Sequence, residues 1–427
     1  MAFRFIHSAD VHLDSPLRSL ALLDERLAEL IGNATRQAFQ NIVTLCIDEE
    51  ADALLLAGDL YDGDQTSMKT ATFFAQQMHR LNDANVKVFV VRGNHDAESR
   101  ITKQLTELTL PPNVTVFKGR AGCVEISPLD GGPPLAIHGM SFAEPQATAS
   151  LLPHYKPPVA GAVNIGMLHT SMAGAEGHNT YAPCTLAELR AHGYRYWALG
   201  HVHKRSVFDG ACTVVMPGNP QGRDINEAGV KTATLVTIGD DGSLSYEERL
   251  TSVAEFERIP VSVDGCDDWA AVVRAIRAGL EAARDKARSE QFVCRLILSG
   301  ATPAAWELRY AAERLKGEAD VLAERIGKTW IEKIDNNCKG PASAAAAGDA
   351  LAELTSEIEG GILDSDAYAL ELDTIAKELL HVLPRETQAA IGDVNEEAFK
   401  AQLKRLAQEG AEEVLARLRA TEATEKF

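Results

Sequence analysis

The sequence predicts an α/β fold for about the first 250 residues, followed by a small α+β module and a helical tail. Two observations predict the α/β part. Short apolar runs rich in branched residues alternate with longer stretches of helical period, which is the pattern of βαβ units. Most of these runs end in an aspartate, asparagine or histidine, at the position where open α/β sheets bind ligands. The length of 427 residues indicates about three domains at the usual domain size.

The first predicted domain covers residues 1–250 and contains six segments that read as buried strands. They are Phe3–Ala9, Ala53–Ala57, Val86–Val91, Val163–Leu168, Tyr196–Leu199 and Thr213–Met216. Leucines at helical spacing between Leu17 and Glu50 predict one or two helices. The apolar runs shorten between Val114 and Phe142, where a Gly-Gly-Pro-Pro turn favours a β-rich edge.

The second predicted domain, residues 253–338, is expected to contain a strand, a helix, a second strand and a helical extension. These elements are predicted at Ile259–Val263, Asp267–Ser289, Phe292–Leu298 and Ala304–Asn336. A segment rich in glycine, proline and alanine, residues 339–348, is the predicted linker. Residues 349–427 have the pattern of a third, helical region.

Composition excludes several classes of protein. The net charge of −19 argues against a protein that coats nucleic acid by bulk attraction, so any affinity for phosphate must be local. No segment approaches the roughly 18 uninterrupted apolar residues of a membrane span, and the N-terminal stretch lacks the apolar core of a signal peptide. The seven cysteines are odd in number, scattered and never spaced as CxxC, which predicts reduced thiols and a cytoplasmic protein.

Five clusters of metal-ligand residue types follow the apolar runs. They are Asp10-Val11-His12, Gly58-Asp59, Gly93-Asn94-His95-Asp96, His169 and Gly200-His201-Val202-His203. Each cluster alone is a weak signal that a turn or a core histidine would also explain. The last one is stronger, because a period of two in a strand places two imidazoles on the same face. The ordered set predicts that all five meet in one crevice at the carboxyl ends of the strands.

In this order the clusters resemble the hallmark motifs of the calcineurin-like metallophosphoesterase superfamily. The segments DVHLDSP from Asp10 and YWALGHVHK from Tyr196 are more narrowly similar to SbcD-type DNA repair exonucleases, closest to the bacterial YhaO-like subgroup. The resemblance covers about residues 3–250. It implies a four-layer αββα sandwich core, followed by a small α+β capping domain and a helical C-terminal region.

The resemblance also implies a centre of two divalent ions. One ion would be held by Asp10, His12 and His203, the other by Asn94, His169 and His201, and Asp59 would bridge them. Carboxylate, amide and imidazole ligands without thiolate favour Mn²⁺ over an all-oxygen Mg²⁺ site. Two such ions would activate water for attack on a phosphodiester.

The family analogy places His95 beside the scissile phosphate, as proton donor to the leaving oxygen or as a charge partner of the transition state. Asp96 is expected to orient His95, and Asp62 is expected to support the metal ligands, with a surface carboxylate as the alternative. The candidate DNA contacts are Arg223, Lys204 and Arg205, although the sequence alone favours a solvated surface residue at each of these positions.

The predicted function is therefore that of a metal-dependent DNA exonuclease or endonuclease subunit in DNA repair. The resemblance implies two partners, DNA and an SMC-like coiled-coil ATPase subunit of the SbcC-like or YhaN-like kind, and it leaves a homodimer open. Two alternatives remain. One is a phosphodiesterase or phosphatase for small phosphoesters, because fold analogy does not separate the two reactions. The other is a weakly active scaffold subunit of an ATPase complex.

Overall fold

The computed structural model describes most of the chain. The described residues are 2–15, 27, 32–62, 67–98, 110–127, 132–172, 181–340, 350–382 and 397–425. They form two compact units. The first comprises Met1–Arg258, Arg284–Cys294 and Lys328–Glu332, and the second comprises Ile259–Ala283, Arg295–Gly327 and Lys333–Phe427.

The first sheet of the first unit has six strands. Their bounds are Phe3–Ser8 (β1), Ala53–Ala57 (β2), Lys87–Val91 (β3), Val114–Val116 (β4), Thr232–Ile238 (β11) and Leu244–Leu250 (β12). They lie in the order β12-β11-β1-β2-β3-β4. The strands β1 to β4 are parallel, whereas β11 and β12 are antiparallel additions at the other edge.

The second sheet also has six strands. Their bounds are Gly122–Ile126 (β5), Leu135–Gly139 (β6), Val163–His169 (β7), Tyr196–Gly200 (β8), Ser206–Phe208 (β9) and Thr213–Met216 (β10). They lie in the order β5-β6-β7-β8-β10-β9. The four central strands are parallel and the two edge strands are antiparallel. In each sheet, the carboxyl ends of the parallel strands therefore lie at the same end of the sheet.

Burial shows how the layers stack. One core cluster joins the inner faces of the two sheets, with Phe5, Leu55 and Phe89 on one side and Ile165 and Met167 on the other. The outer face of the first sheet is covered by helices α1 (Ala34–Asp48) and α2 (Met68–Asp83).

The outer face of the second sheet is covered by a short 3₁₀ turn, Leu152–His154, and by helix α4 (Leu186–Ala191). Leu152 and Leu189 of these elements pack on Trp197 and Val214 of the sheet. Helix α3 (Asn94–Glu98) follows β3. The predicted α/β fold with a four-layer αββα core is confirmed.

A third sheet contains the strands Ala254–Ser262 (β13), Gln291–Ala301 (β14) and Thr329–Lys339 (β15), in that order. The boundary between the two units falls within each of these strands. The helices of the second part of the chain are Trp269–Arg284 (α5), Ala305–Tyr310 (α6), Ala312–Ile326 (α7), Ala350–Glu357 (α8), Asp366–Val382 (α9) and Glu397–Glu425 (α10), with a π-helical turn after α8 at Ile358–Ile362.

The helical pattern predicted from Ala304 to Asn336 is wrong in its last part. Helix α7 ends at Ile326. The next residue, Gly327, has a left-handed φ of 83°, and the chain then enters strand β15. Strand β13 also begins at Ala254, before the predicted start at Ile259. Much of the helix predicted between Leu17 and Glu50 lies outside the described residues, and α1 forms its last part. The predicted domain boundaries, 1–250, 253–338 and 349–427, stay predictions.

The seven cysteines all lie within the described residues, and no disulfide bond joins any two of them there. Among the described helices, none combines the length and the apolar character that crossing a membrane requires.

Candidate metal centre

The predicted ligands lie where parallel strands end. Asp10, Asp59 and Asn94 follow β1, β2 and β3 of the first sheet, while His169 is the last residue of β7 and His201 directly follows β8. Because the inner faces of the two sheets pack on each other, the ligands from both sheets meet across the top of the shared core.

The backbone turns sharply at four of these ligands. Asp10, His12, Asp59 and His201 have φ values of 53°, 46°, 52° and 106°, in the left-handed region that non-glycine residues rarely adopt. Such residues cost of the order of 1–3 kcal/mol each and persist only where the surroundings fix them. Hydrogen bonds between the two turns do so here, from Asp10 N to Gly58 O at 2.9 Å and from His12 N to Asp59 O at 3.1 Å.

The first cluster of ligand atoms comprises Asp10, His12 and His203, which each offer one ligand atom within 4.8 Å of the others. The Nε2 atoms of His12 and His203 face each other at 3.2 Å. Their Nδ1 atoms are 2.7 Å from carboxylate oxygens of Asp62 and Glu227, respectively. Each Nδ1–H therefore donates to a carboxylate, and each Nε2 presents a lone pair.

The lone pairs of the two Nε2 atoms repel each other unless a cation or a proton lies between them. Two imidazoles that bind one ion at about 2.1 Å and at right or tetrahedral angles have their nitrogens about 2.9–3.4 Å apart. The separation of 3.2 Å between His12 Nε2 and His203 Nε2 fits that range. The first cluster therefore fits a divalent ion.

The second cluster comprises Asp59, His169 and His201, again within 4.8 Å of one another. His169 Nε2 lies 3.3 Å from Asp59 Oδ2 and 3.1 Å from Asn94 Oδ1. The other ring nitrogen, Nδ1, donates to the backbone carbonyl of Ala57 at 3.0 Å. Three acceptor atoms thus converge on one point, and the predicted set with Asn94 is brought together.

The electrostatics of the second cluster agree with this geometry. Burial alone would raise the pKa of Asp59, but the charge and hydrogen bond of His169 hold that pKa well below its usual range. Burial alone would lower the pKa of His169, but the Asp59 carboxylate outweighs it and raises that pKa. The acceptor atoms of the second cluster therefore favour a positive charge at this point.

The two clusters are directly connected. The backbone N–H of His201, in the second cluster, donates to both carboxylate oxygens of Asp10, in the first, at 3.0 Å. The predicted bridging role of Asp59 stays a prediction, because its carboxylate is grouped with the second cluster only.

Comparison with known proteins places this site in a family. Residues 3–205 match the calcineurin-like phosphoesterase family, and residues 256–339 match the middle domain of the metallophosphoesterase YhaO. Residues 3–205 are a calcineurin-like phosphoesterase domain. The resemblance predicted from the motifs is confirmed, and members of this family use divalent metals.

Two curated relatives of the phosphoesterase domain differ in how far they extend. The chain is 29% identical over 409 residues to an uncharacterized metallophosphoesterase YhaO of Bacillus subtilis (strain 168), which covers 94% of this chain and 98% of that protein. It is 26% identical over 207 residues to the DNA double-strand break repair protein Mre11 of Methanocaldococcus jannaschii, covering 47% of this chain and 51% of that protein. The chain thus spans about half the length of the second relative.

Among solved structures, TT1561 of Thermus thermophilus is 14% identical and covers 58% of this chain and 99% of that chain, with a TM-score of 0.34. This likeness is too weak to bear on function.

His95 of the phosphoesterase domain lies beside both clusters without belonging to either. Its backbone N–H donates to Asp59 Oδ1 at 3.0 Å, and its ring packs edge-on against His12, with the ring centres 5.2 Å apart. The His95 side chain is 42% exposed, whereas those of His12, His169 and His203 are 2%, 0% and 22% exposed. His95 is therefore placed to contact a substrate.

Asp96 has a different position from the one predicted. It is buried, and its Oδ1 accepts the backbone N–H groups of Leu60 at 2.9 Å and Tyr61 at 3.1 Å, while its Oδ2 accepts that of Gly93 at 3.1 Å. Burial, helped by the charge of Asp59, raises the pKa of Asp96 to about 7. These contacts fix the two ligand loops to each other.

The carboxylate that approaches His95 is that of Asp62, with 4.0 Å between His95 Nδ1 and Asp62 Oδ1. Asp62 also accepts the hydrogen bond from His12 Nδ1. Asp62 thus contacts the candidate ligand His12, whereas its distance from His95 is too long for a hydrogen bond. The supporting role expected of Asp62 stays a prediction.

Two glycines give the ligands their room. A Cβ atom on Gly93 would lie 2.2 Å from Asp59 Oδ1, and one on Gly200 would lie 2.1 Å from the carbonyl oxygen of Ala57. Both glycines stand directly before ligand residues in the motifs, so only a hydrogen at Cα allows these loops to approach.

Glu227 is the residue of the site that sequence reasoning missed. It ends a short 3₁₀ turn, Ile225–Glu227, which Asp224 caps by accepting from Asn226 N at 2.7 Å. Its Oε1 lies 2.7 Å from His203 Nδ1. No spacing pattern links position 227 to the GHVH motif, so the sequence carried no signal for this contact.

The predicted DNA contacts occupy three different environments. Arg223 is 23% exposed and forms an ion pair with Glu227, with 2.7 Å between Nη2 and Oε1. Arg205 pairs with Glu248 at 2.8 Å and donates to Thr234 Oγ1 at 2.7 Å. Lys204 is exposed. The first two predicted contacts are thus engaged within the domain.

Proposed function

We propose that this chain is a metal-dependent DNA exonuclease or endonuclease subunit that acts in DNA repair. The observation that carries the proposal is the pair of acceptor clusters, Asp10 with His12 and His203 and Asp59 with His169 and His201, which the His201 N–H joins to each other. Such a pair suits a reaction in which both the attacking and the leaving oxygen of a phosphodiester need stabilisation.

The charge of the site favours a phosphate substrate. Of the ligand residues in the two clusters, only Asp10 and Asp59 are anionic, so a centre that holds two dications keeps a positive charge. That local charge attracts a phosphodiester even though the whole chain carries −19.

The choice of DNA rests on the relatives. The relative named Mre11 is described as a DNA double-strand break repair protein, and its similarity covers 207 residues. The relative that covers almost the whole chain is described only as a metallophosphoesterase, which supports the class of reaction and leaves the substrate open. Both are consistent with cleavage of phosphodiester bonds.

Two bound divalent ions, with Mn²⁺ favoured by the mixed nitrogen and oxygen donors, would supply Lewis acidity and lower the pKa of water at the site. His95 acts on the substrate itself. Its half-exposed ring beside the clusters allows it to give a proton to the leaving oxygen or to stabilise the charge on the phosphate. The Asp62 carboxylate lies 4.0 Å from His95 Nδ1, which is close enough for a charge interaction but too far for a hydrogen bond.

The ATPase partner, the homodimer and the cytoplasmic location stay predictions. In the second unit, helices α9 and α10 expose large apolar side chains, namely Leu370, Ile375, Leu379, Val382, Leu406, Val414 and Leu418. A partner helix could cover such side chains, whereas Leu415 of α10 is buried within the chain itself.

The test compares three substrates in the presence of Mn²⁺. Labelled linear duplex DNA, bis(p-nitrophenyl) phosphate as a small diester and p-nitrophenyl phosphate as a monoester are incubated with the full chain. We expect degradation of DNA and hydrolysis of the diester. The Asp59→Ala variant, purified in the same way, is the control for contaminating nucleases and should be inactive on all three.

The other outcomes each select an alternative. Hydrolysis of the monoester or small diester with intact DNA would make the chain a phosphatase or phosphodiesterase for small phosphoesters. Absence of hydrolysis of all three by a chain that holds its metals would favour the scaffold role.

A further inference from the structure

Three side chains behind the first cluster form a continuous set of polar contacts. Asp62 accepts from His12, Glu227 accepts from His203, and Arg223 lies between the two carboxylates. We call Asp62, Arg223 and Glu227 the histidine clasp. The Nη2 atom of Arg223 is 2.7 Å from Glu227 Oε1, and its Nη1 atom is 3.8 Å from Asp62 Oδ1.

The clasp is held in place by its own hydrogen bonds. Glu227 Oε2 accepts the backbone N–H of Arg223 and the side-chain amide of Asn219, both at 2.8 Å. Arg223 also donates to Ser15 Oγ at 3.4 Å. The side chains of Asp62, Arg223 and Glu227 are 16%, 23% and 12% exposed, so water has limited access to these contacts.

Each carboxylate of the clasp contacts the Nδ1 atom of one ligand histidine. Asp62 Oδ1 is 2.7 Å from His12 Nδ1, and Glu227 Oε1 is 2.7 Å from His203 Nδ1. A carboxylate on Nδ1–H makes the opposite nitrogen, Nε2, a stronger metal ligand.

His169 of the second cluster is oriented in another way. Its Nδ1 donates to the backbone carbonyl of Ala57, a neutral group inside the sheet core. The hydrogen bonds of the clasp within the described residues reach His12 and His203, both ligands of the first cluster. His169 therefore differs from the two histidines of the first cluster in the group that fixes its Nδ1.

We propose that Glu227 is a positioning residue which, with Arg223, fixes His203 as a metal ligand and sets the affinity of the first cluster for its cation separately from that of the second. Arg223 serves as the bridge between the carboxylates of the clasp and not as a contact for the DNA backbone. The inference rests on the metal centre of the proposed function, but not on the identity of the substrate.

The experiment is a titration of the metal-free full chain with MnCl₂ alone, followed by calorimetry and by EPR of the bound ions. Wild type should bind two equivalents. The Glu227→Gln variant keeps the size and an acceptor oxygen but loses the charge, and we expect one equivalent to bind about 10- to 100-fold more weakly while the other is unchanged. At one added equivalent, its EPR spectrum should be that of a single uncoupled Mn²⁺ ion.

Matched variants separate positioning from a general loss of structure. Glu248→Gln removes the same charge from another glutamate that pairs with an arginine, Arg205, and should leave both equivalents unchanged. Asn94→Ala, next to His169, should weaken the other equivalent. Arg223→Gln should weaken the same equivalent as Glu227→Gln. Thermal unfolding of the metal-free variants checks that each is folded.

The inference is overturned if Glu227→Gln binds both equivalents like wild type, if both equivalents weaken alike, or if wild type itself takes up fewer than two. If Glu227→Gln weakens one equivalent as expected but the wild type leaves DNA intact, the proposed substrate is refuted and the inference about Glu227 stands.

Discussion

The substitution Gly93→Ala, which adds one methyl group, should cause the metal centre to lose a bound ion. Gly93 does not have a left-handed φ, so its backbone would accept alanine, and crowding is the only obstacle. The added Cβ would lie 2.2 Å from Asp59 Oδ1 and 2.8 Å from both Cε1 and Nε2 of His169. Ordinary contacts are about 3.4 Å or longer, so the Asp59 carboxylate must retreat by more than about 1 Å.

A displacement of that size exceeds what a metal ligand tolerates. Ligand distances in working sites vary by about ±0.2 Å, and a misplacement of about 1 Å can lower activity about 100-fold. The retreat would also break the hydrogen bond from His95 N to Asp59 Oδ1, which is 3.0 Å long. We therefore expect Gly93→Ala to lose at least one equivalent of metal and at least about 100-fold in activity.

Two quantities are measured. Mass spectrometry gives the metal content after loading with Mn²⁺, and a kinetic assay gives the rate of hydrolysis of bis(p-nitrophenyl) phosphate. Gly317→Ala is the matched control. Gly317 lies inside helix α7 with no atom within 4 Å of an added Cβ, so it should keep both metal and activity and gain about 0.5–1 kcal/mol in stability. Full metal content and wild-type activity in Gly93→Ala would refute this account of the site.

Three further predictions concern single side chains. His95→Ala should retain both metals, because the ring of His95 belongs to neither cluster, and should hydrolyse a diester about 10²- to 10⁴-fold more slowly. Metal analysis and kinetics on one preparation check this. Activity equal to that of the wild type would exclude His95 from the chemistry. His7 is buried against Tyr196, and burial lowers its pKa from 6.5 to about 3, so the unfolded state takes up a proton first as the pH falls. The free energy of unfolding should therefore drop by about 2 kcal/mol between pH 7 and pH 5 from this residue, and denaturant titrations of His7→Gln should show a correspondingly smaller drop; an unchanged drop would contradict the assignment. Thr185→Ala should lower stability by about 1 kcal/mol, because Thr185 caps α4 by accepting from Glu188 N, and an unchanged denaturation midpoint would show that the cap is dispensable.

Much of the fold and of the ligand set follows from local sequence. A run such as Ala53–Ala57 is apolar at every position, which marks a strand covered on both faces, and all five of its residues are buried. The ligand types that follow such runs are adjacent in sequence to the strands that place them. The strands and the residues at their ends were therefore predictable together.

The parts that sequence reasoning missed depend on contacts between distant segments. Strand β15 contains Trp330, Ile331 and Ile334 at a spacing that also suits a helix, and only its place in the sheet beside β14 decides for a strand. Glu227 meets His203 across a loop, and a glutamate in a loop has no distinguishing pattern. Asp96 bonds to backbone amides, which leave no trace in the sequence.

The supply of ligands from two sheets has a consequence for folding. Asp10 and Asp59 come from the first sheet, whereas His169, His201 and His203 come from the second. Each cluster mixes the two sources, so an ion can bind only when the halves of the sandwich are docked. A bound cation thus stabilises the packing of the two sheets on each other. At a concentration about 100 times its Kd, each ion adds about 2.7 kcal/mol to the stability of the docked state. A chelator would remove this stabilisation without changing any apolar contact of the core.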